Sequence, residues 1–178
     1  MTKAPIASFG SDGALVVADA PVAPVHPGDL HQFITFRIGE EEYGTDILDV
    51  HEIIAWTGVT KLPNTQPHLR GVMNLRGSIL PVFDLRARFG MGDTEASEFH
   101  VIVIVKVADK LVGMLADAVA QILQVTTDEL QPPPDHGLMV DQEYLDCFAT
   151  SGERMVAILD VQKLFDLSEL ERAVQTDR

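Results

Sequence analysis

Three places in the sequence could carry catalytic or metal chemistry, and each lacks a residue that the chemistry needs. His51-Glu52 begins the His-Glu-x-x-His pattern of zinc hydrolases, but Ala55 stands where the second histidine must be. Ser78 has only one of the two glycines of a nucleophile elbow, because Leu80 occupies the other position. Cys147 lies in an apolar run, where a small core residue is more common than a nucleophile. None of the three predicts a catalytic site.

The remaining polar residues do not form a recognisable constellation either. Asp46 and Asp49 could pair as carboxylates, but at helical spacing they are more often a solvated face. The other histidines have no metal-ligand spacing, and neither a phosphate-binding loop nor a dinucleotide fingerprint is present. We therefore expect no catalytic residue, no metal and no cofactor, and the balance moves from an enzyme toward a binding module.

Composition narrows the class of partner. The chain has 178 residues, enough for one domain or two small ones, and 46% of them are hydrophobic. Thirteen Lys and Arg face 27 Asp and Glu, a net charge of -14 that argues against nucleic acid and anionic lipid. One cysteine permits no intrachain disulfide, and the longest apolar run, 101–105, is far shorter than a membrane span. We expect a cytoplasmic protein without direct membrane insertion.

The amino-acid composition changes near residue 30. Residues 1–30 are rich in Pro and Gly and show neither helical nor strand periodicity, which predicts a flexible N-terminal tail. Residues 31–178 carry the hydrophobic patterns and form the predicted folded part. The patterns there predict strands at 31–38, 42–45, 59–62, 99–107, 111–115, 144–149 and 155–159, a hairpin over 71–84, and helices at 46–54, 85–89 and about 160–174; the segment 118–125 fits either a strand or a helix.

The two halves of the folded part resemble each other. Gly44, Val50 and Ile53 recur as Gly113, Val119 and Ile122 at an offset of 69 residues. A strand, an aspartate and a short helix at 82–89 recur at an offset of 76. Such similarity can arise by chance in a chain rich in Val and Ile, but duplication is favoured. Duplication predicts two small β-barrels rather than one large sandwich, with the second half beginning near 90–98.

Two segments are similar to the CheW family of bacterial chemotaxis coupling proteins. They are 42–53, with Tyr43-Gly44, and 71–85, with Asn74-Leu75-Arg76-Gly77 followed by Pro81-Val82-Phe83-Asp84-Leu85. Weaker matches at 112–119 and 159–165 extend the resemblance over about 31–166. The resemblance implies an all-β fold with short helices, in which two small five-stranded SH3-like β-barrels share a hydrophobic core.

The resemblance also implies a function. CheW proteins are non-enzymatic adaptors that couple the histidine kinase CheA to the cytoplasmic tips of methyl-accepting chemoreceptors in membrane-associated arrays. Two alternatives remain open at this point. One is a CheW-like regulator that binds CheA without a receptor, and the other is a two-barrel protein that binds a small ligand or acts as an enzyme.

Candidate site residues follow from the same resemblance. Ile47, Val50 and Val119 match the receptor-binding groove between the barrels, although all three could be ordinary core residues. Arg76 is expected near the face of Ile47 and Val50, and Glu52 is the acid that we pair with it, because an arginine fork suits a two-point carboxylate contact. The kinase contact is expected at a barrel end, where the candidates are Val59, Lys61, Leu62 and Pro63.

Overall fold

A computed structural model describes residues 27–138 and 140–175 of the chain. The chain divides at residue 30, and the described residues from His31 onward form one compact unit. Most of the predicted tail, residues 1–26, lies outside the described residues, and of its remainder the structure shows a turn of 3-10 helix, Pro27–Asp29. No helix of the described part of the chain is long and apolar enough to cross a membrane.

Strands make up most of the described structure. They are β1 (Leu30–Ile38), β2 (Glu41–Asp46), β3 (Val50–Ala55), β4 (Leu69–Leu75), β5 (Ser78–Asp84), β6 (Val101–Val107), β7 (Lys110–Ala116), β8 (Ala118–Thr126), β9 (Leu130–Gln131), β10 (Leu145–Ser151) and β11 (Arg154–Leu159). The α-helices are short: α1 (Leu85–Arg88), α2 (Val161–Leu164) and α3 (Leu167–Gln175). The predicted fold class, all-β with short helices, is confirmed.

The strands form two sheets, and each sheet takes strands from both halves of the chain. One has the order β3-β6-β7-β5-β4 and the other the order β8-β1-β2-β11-β10-β9. Hairpins within a half are antiparallel, while β5 joins β7 and β11 joins β2 in parallel. The first sheet has the predicted five strands. The second has six, because the two-residue strand β9 pairs with β10.

The predicted repeat is visible in the register of the two parallel joins. Gly44 lies opposite Ile158, and Gly113 lies opposite Val82. A Cβ atom on Gly44 would lie 2.8 Å from Cδ1 of Ile158, and one on Gly113 would lie 2.9 Å from Cγ2 of Ile102. A methyl group at either position would force a neighbouring side chain to shift, which favours glycine at both. The same strand contact is built twice, once in each sheet.

The short helices repeat the same local chemistry. Asp84 caps α1 by accepting the backbone N–H groups of Arg86 and Ala87, and Asp160 caps α2 in the same way. A carboxylate at this position satisfies N–H groups that have no partner within the helix. Each helix therefore starts directly at the end of a buried strand, as the sequence predicts for Asp84 and Asp160.

Alternating residues of the central strands face two different cores. Val82, Ile102 and Leu115 belong to a cluster within the five-stranded sheet. An equivalent cluster, which includes Phe33 and Ile158, lies within the six-stranded sheet. The intervening residues form a larger cluster to which both sheets contribute: Phe36, Phe83, Val103, Met114, Leu159 and Phe165. Strands buried on both faces explain the near-continuous apolar runs in the sequence.

The five-stranded sheet curls until its two edges meet. Beyond the end of β3, Thr60 and Val72 of β4 exchange backbone hydrogen bonds of 2.8 and 2.9 Å, although β3 and β4 are the outer strands of the sheet. Gly71 permits this contact, since its φ is +148° and a Cβ atom there would lie 2.2 Å from the carbonyl oxygen of Thr60. In the six-stranded sheet, β8 contacts β10 across the corresponding gap. We call the Thr60–Val72 contact the seam.

Two predicted elements in the first half of the chain differ from the structure. The helix expected at 46–54 is wrong, because residues 50–55 form β3 and pair with β6, and the β-branched Val50, Ile53 and Ile54 suit that ladder. The strand expected at 59–62 is reduced to the single bridge at Thr60.

The helix expected over about 160–174 is divided in two by the extended backbone of Phe165, after which Asp166 accepts the backbone N–H of Ser168. The ambiguous segment 118–125 is strand β8.

Gly71→Ala tests the seam. The added methyl group would collide with the backbone of Thr60 and force an unfavourable φ, so we expect a loss of at least about 2 kcal/mol in the free energy of unfolding. Denaturant unfolding followed by circular dichroism measures it. Gly28→Ala is the control, because no atom lies within 4 Å of a Cβ there. Equal stability of both variants would contradict a seam that depends on Gly71.

Candidate functional site

Three of the predicted docking residues lie on β3 and β8, the equivalent edge strands of the two sheets. β3 ends the five-stranded sheet and carries Val50 and Glu52, while β8 ends the six-stranded sheet and carries Val119. Val119 is 37% exposed, and large apolar neighbours on both strands are also open to solvent: Ile53 at 36% and Ile122 at 61%. We call Ile53, Val119 and Ile122 the edge patch.

Sequence reasoning did not assign Ile53 and Ile122 to the site. Their recurrence at an offset of 69 residues marked them as equivalent positions. The signal that could have found them is the alternation of β3, in which every second residue is exposed. With the segment interpreted as a helix, that alternation has no meaning. Once it is a strand, Ile53 faces outward and becomes a contact candidate.

Ile47 and Val50 flank a tight turn between β2 and β3. Ile47 donates its backbone N–H to Gln32 O at 3.0 Å, and Val50 donates to Ile47 O at 3.2 Å. The carboxylate of Asp46 accepts the N–H of Leu48 at 2.8 Å, which leaves the Leu48 side chain 88% exposed at the tip. Val50 is partly buried and packs against the shared core. Val50 therefore has a structural role at the start of β3.

Arg76 and Glu52 form the predicted two-point ion pair. The guanidinium donates from Nη1 to Oε1 at 3.0 Å and from Nη2 to Oε2 at 2.9 Å. Arg76 and Gly77 both have positive φ values, +49° and +91°, as a two-residue type I′ hairpin requires. Asn74 steadies this turn by accepting the Gly77 N–H at 2.8 Å. The hairpin thus holds the arginine fork against a carboxylate on the opposite edge strand.

The pair spans the same gap as the seam. Arg76 lies at the tip of the β4–β5 hairpin and Glu52 on β3, so the contact again connects the two edges of the five-stranded sheet. The Arg76 side chain is 75% exposed and that of Glu52 is 20% exposed. An ion pair this open adds only about 0–1 kcal/mol to stability. Its main physical effect is to fix the shape and charge of the surface around the tip of the β4–β5 hairpin.

The segment proposed from sequence for kinase contact lies beside the seam. Val59 is half-buried against the inner cluster of the five-stranded sheet, and Leu62 is also half-buried. Lys61 and Pro63 are exposed. The structure places this segment in the connection between β3 and β4, next to Thr60. It brings Arg76 together with Glu52, whereas it places Val119 on the other sheet.

Asp49 and Cys147 are among the groups whose pKa values are shifted. Burial raises the pKa of Asp49, and the carboxylates of Asp46 and Asp160 raise it further. Burial, followed by the charge and hydrogen bond of Asp146, raises the pKa of Cys147 to about 11. A thiol with so high a pKa is a poor nucleophile at neutral pH. Within residues 27–138 and 140–175, no three His, Cys, Asp or Glu side chains are placed to hold a metal ion.

The fold and the site define a class before any comparison. Two curled β-sheets share one core, their equivalent edge strands present aliphatic side chains, and β3 also carries one partner of a surface ion pair. Such an arrangement can bind an apolar face of another protein, whereas the described residues offer no arranged nucleophile, base and orienting group. The class is a protein-binding β-domain.

Comparison with known proteins identifies the family of this chain. Residues 32–169 match the family model of the CheW-like domain. The chain is 37% identical to a probable chemotaxis protein CheW of Rhizobium etli over 85% of this chain and 97% of that protein. It is 36% identical to the chemotaxis protein CheW of Klebsiella aerogenes, over 78% and 84% of the two chains.

A solved structure agrees with the sequence comparisons. The scaffolding protein CheW of Thermoanaerobacter tengcongensis superposes with a TM-score of 0.72 at 33% identity, covering 78% of this chain and 94% of that one. The chain therefore belongs to the CheW family. It is a chemotaxis scaffold or adaptor and not an enzyme, which confirms the family resemblance seen in the sequence and removes the enzymatic alternative.

Asp49→Asn tests the charge at the β2–β3 turn. Because its pKa is raised in the fold, the native state binds this proton more tightly than the unfolded chain, and ionisation costs stability as the pH rises through the shifted value. We expect the variant to be more stable than wild type near pH 7, by less than about 1 kcal/mol after solvent screening, and equal to it below about pH 3. Urea unfolding across pH measures this.

Asp166→Asn is the control for this titration. Hydrogen bonds from Ser168 lower the pKa of Asp166, so its ionised form favours the fold. The variant should be the less stable one near neutral pH, the opposite sign to Asp49→Asn. A wild type more stable than Asp49→Asn at neutral pH would contradict the assigned environment of Asp49.

Proposed function

We propose that this protein couples the histidine kinase CheA to the cytoplasmic tips of methyl-accepting chemoreceptors in signalling arrays. The observation that carries the proposal is the edge patch, the exposed aliphatic side chains on the equivalent strands β3 and β8; the Arg76–Glu52 pair adds a polar contact on β3. Membership of the CheW family supports it, since the family's chemotaxis proteins share most of this chain. The protein would act in the cytoplasm, at membrane-associated arrays.

Receptor tips fit the chemistry of the patch. A helical hairpin presents apolar side chains at helical spacing, and an aliphatic surface receives them by burying area from water. Ile53, Val119 and Ile122 supply the aliphatic surface, and the turn from Ile47 to Val50 leads into β3 beside it. Arg76 would add a directional contact that distinguishes a polar group on the receptor, because most of its side chain remains exposed.

The kinase would bind the end of the five-stranded sheet. Val59, Lys61, Leu62 and Pro63 form the connection next to the seam, where an exposed cation and a proline accompany two half-buried apolar side chains. This surface differs from the edge patch, so one chain could hold both partners. A pull-down of the purified chain against CheA and receptor tips from its own cell tests the proposal. Binding to both supports coupling, and binding to CheA alone would instead indicate a regulator.

Val119→Lys separates docking from folding better than a change at Val50. Val119 is exposed, whereas Val50 packs against the shared core. A lysine would place a charge where an apolar helix must lie, so we expect at least about a tenfold loss of receptor-tip affinity with CheA affinity retained. Titration by fluorescence anisotropy measures both affinities. Gln142→Lys, which adds the same charge at an exposed position, should bind normally. Wild-type tip affinity of Val119→Lys would remove β8 from the site.

Arg76→Ala and Glu52→Ala should each reduce receptor-dependent kinase activation much more than stability. The two side chains act as one contact, so the double variant should be little worse than either single variant. Arg76→Lys keeps the charge but loses the fork, and should recover only part of the activation. Reconstituted arrays with purified CheA give the activation, and denaturant titration gives the stability. Strictly additive losses would show that the two residues act separately.

A further inference from the structure

The chain crosses from one sheet to the other twice, and these two crossings differ in structure. β2 of the six-stranded sheet leads to β3 of the five-stranded sheet through residues 47–49, and β7 of the five-stranded sheet leads to β8 of the six-stranded sheet through Asp117 alone. At the repeat offset of 69 residues, Asp117 is the counterpart of Leu48. The first crossing exposes an apolar side chain at this position, and the second carries a carboxylate.

The side chain of Asp117 has partners in three other segments. Its Oδ2 accepts the Gly39 N–H at 2.6 Å, from the β1–β2 turn, and a guanidinium N–H of Arg86 in α1 at 2.7 Å. Its Oδ1 lies 3.5 Å from Nε2 of His100, in the segment before β6. The backbone N–H of Asp117 donates to Arg37 O at 2.9 Å. One residue thereby ties both sheets and α1 to the point where β8 begins.

The contacts of the Asp117 side chain are partly shielded from solvent. The side chains of Asp117 and Arg86 are 20% and 31% exposed, so the ion pair is less open to solvent than Arg76–Glu52, whose arginine is 75% exposed. His100 is oriented by Ser97, whose backbone N–H donates to Nδ1 at 3.0 Å, and this leaves Nε2 toward Asp117. A partly buried network of this kind holds one geometry, because each group would lose a partner if the crossing moved.

Val119 lies two residues beyond Asp117. We propose that Asp117, held by Arg86, is a positioning residue of the docking surface: it fixes the start of β8 and so sets where Val119 and Ile122 stand for a receptor helix. This inference rests on the proposed receptor docking. Asp117 would not touch the receptor itself. The equivalent position before β3 is Leu48, which has no carboxylate, so only the β8 side of the edge patch would be set in this way.

Asp117→Asn and Arg86→Gln test the proposal. Asn keeps an acceptor for Gly39 but loses the charge, and Arg86→Gln leaves Asp117 in place should the first variant fold poorly. For each we expect about a tenfold weaker affinity for a soluble receptor-tip helical bundle, with CheA affinity unchanged. The double variant should be little worse, and Arg86→Lys, which restores a cation, should recover most of the affinity.

Two further measurements distinguish positioning from a general loss of stability. Methyl NMR of the free protein should show shifts at Val119 and Ile122 in Asp117→Asn, with Ile53 of β3 unchanged. Asp160→Ala is the control, because it removes the side-chain oxygen that caps α2 and should lower stability without changing tip affinity.

The outcomes separate the inference from the function on which it rests. Wild-type affinity of a folded Asp117→Asn or Arg86→Gln, or unchanged methyl signals on β8, would overturn the positioning role while leaving receptor docking intact. A wild-type protein that binds CheA but no receptor tip would overturn the proposed function, and the positioning role with it. Strictly additive losses from Asp117→Asn and Arg86→Gln would overturn their action as one unit.

Discussion

Both sheets depend on one repeated contact, the parallel approach of a strand from one half of the chain to a strand from the other. At Gly44 this approach brings β2 beside β11, and at Gly113 it brings β7 beside β5. Neighbouring side chains come so close that a methyl group on either glycine would overlap them. Because each join connects the two halves, neither half completes a sheet alone. The shared core and the two edge strands both follow from this exchange.

The exchange also explains which strands keep exposed apolar side chains. Central strands such as β6 and β7 bury both faces, one toward the core within their sheet and one toward the shared core. Outer strands retain side chains that are free to meet a partner. β3 and β8 are equivalent outer strands, and both carry exposed isoleucine. Exposed edge strands risk uncontrolled pairing, and the strong net negative charge opposes self-association.

Much of the fold could be predicted from local patterns. The hairpin around Arg76-Gly77 has an explicit turn signal, and Asp84 and Asp160 cap their helices as expected. The prediction for the segment that forms β3 failed because Ile47, Val50 and Ile54 match helical spacing by coincidence. Pairing with β6, which lies about fifty residues away in sequence, decides its conformation. Local periodicity carries no information about such a partner.

The candidate site likewise contains one contact that the sequence could predict and one that it could not. The Arg76–Glu52 pair was predictable because the resemblance placed Arg76 near the face of Ile47 and Val50, and the arginine fork suited the carboxylate of Glu52. The contacts of Asp117 were not, because its partners Gly39 and Arg86 lie far away in sequence and carry no pattern that connects them.

These two kinds of contact also differ physically. An exposed pair can shape a surface while contributing little to stability, whereas a partly buried carboxylate with several donors holds the backbone itself. The proposed docking therefore needs both: an open pair that a partner can meet, and a less open one that keeps the neighbouring strand in place.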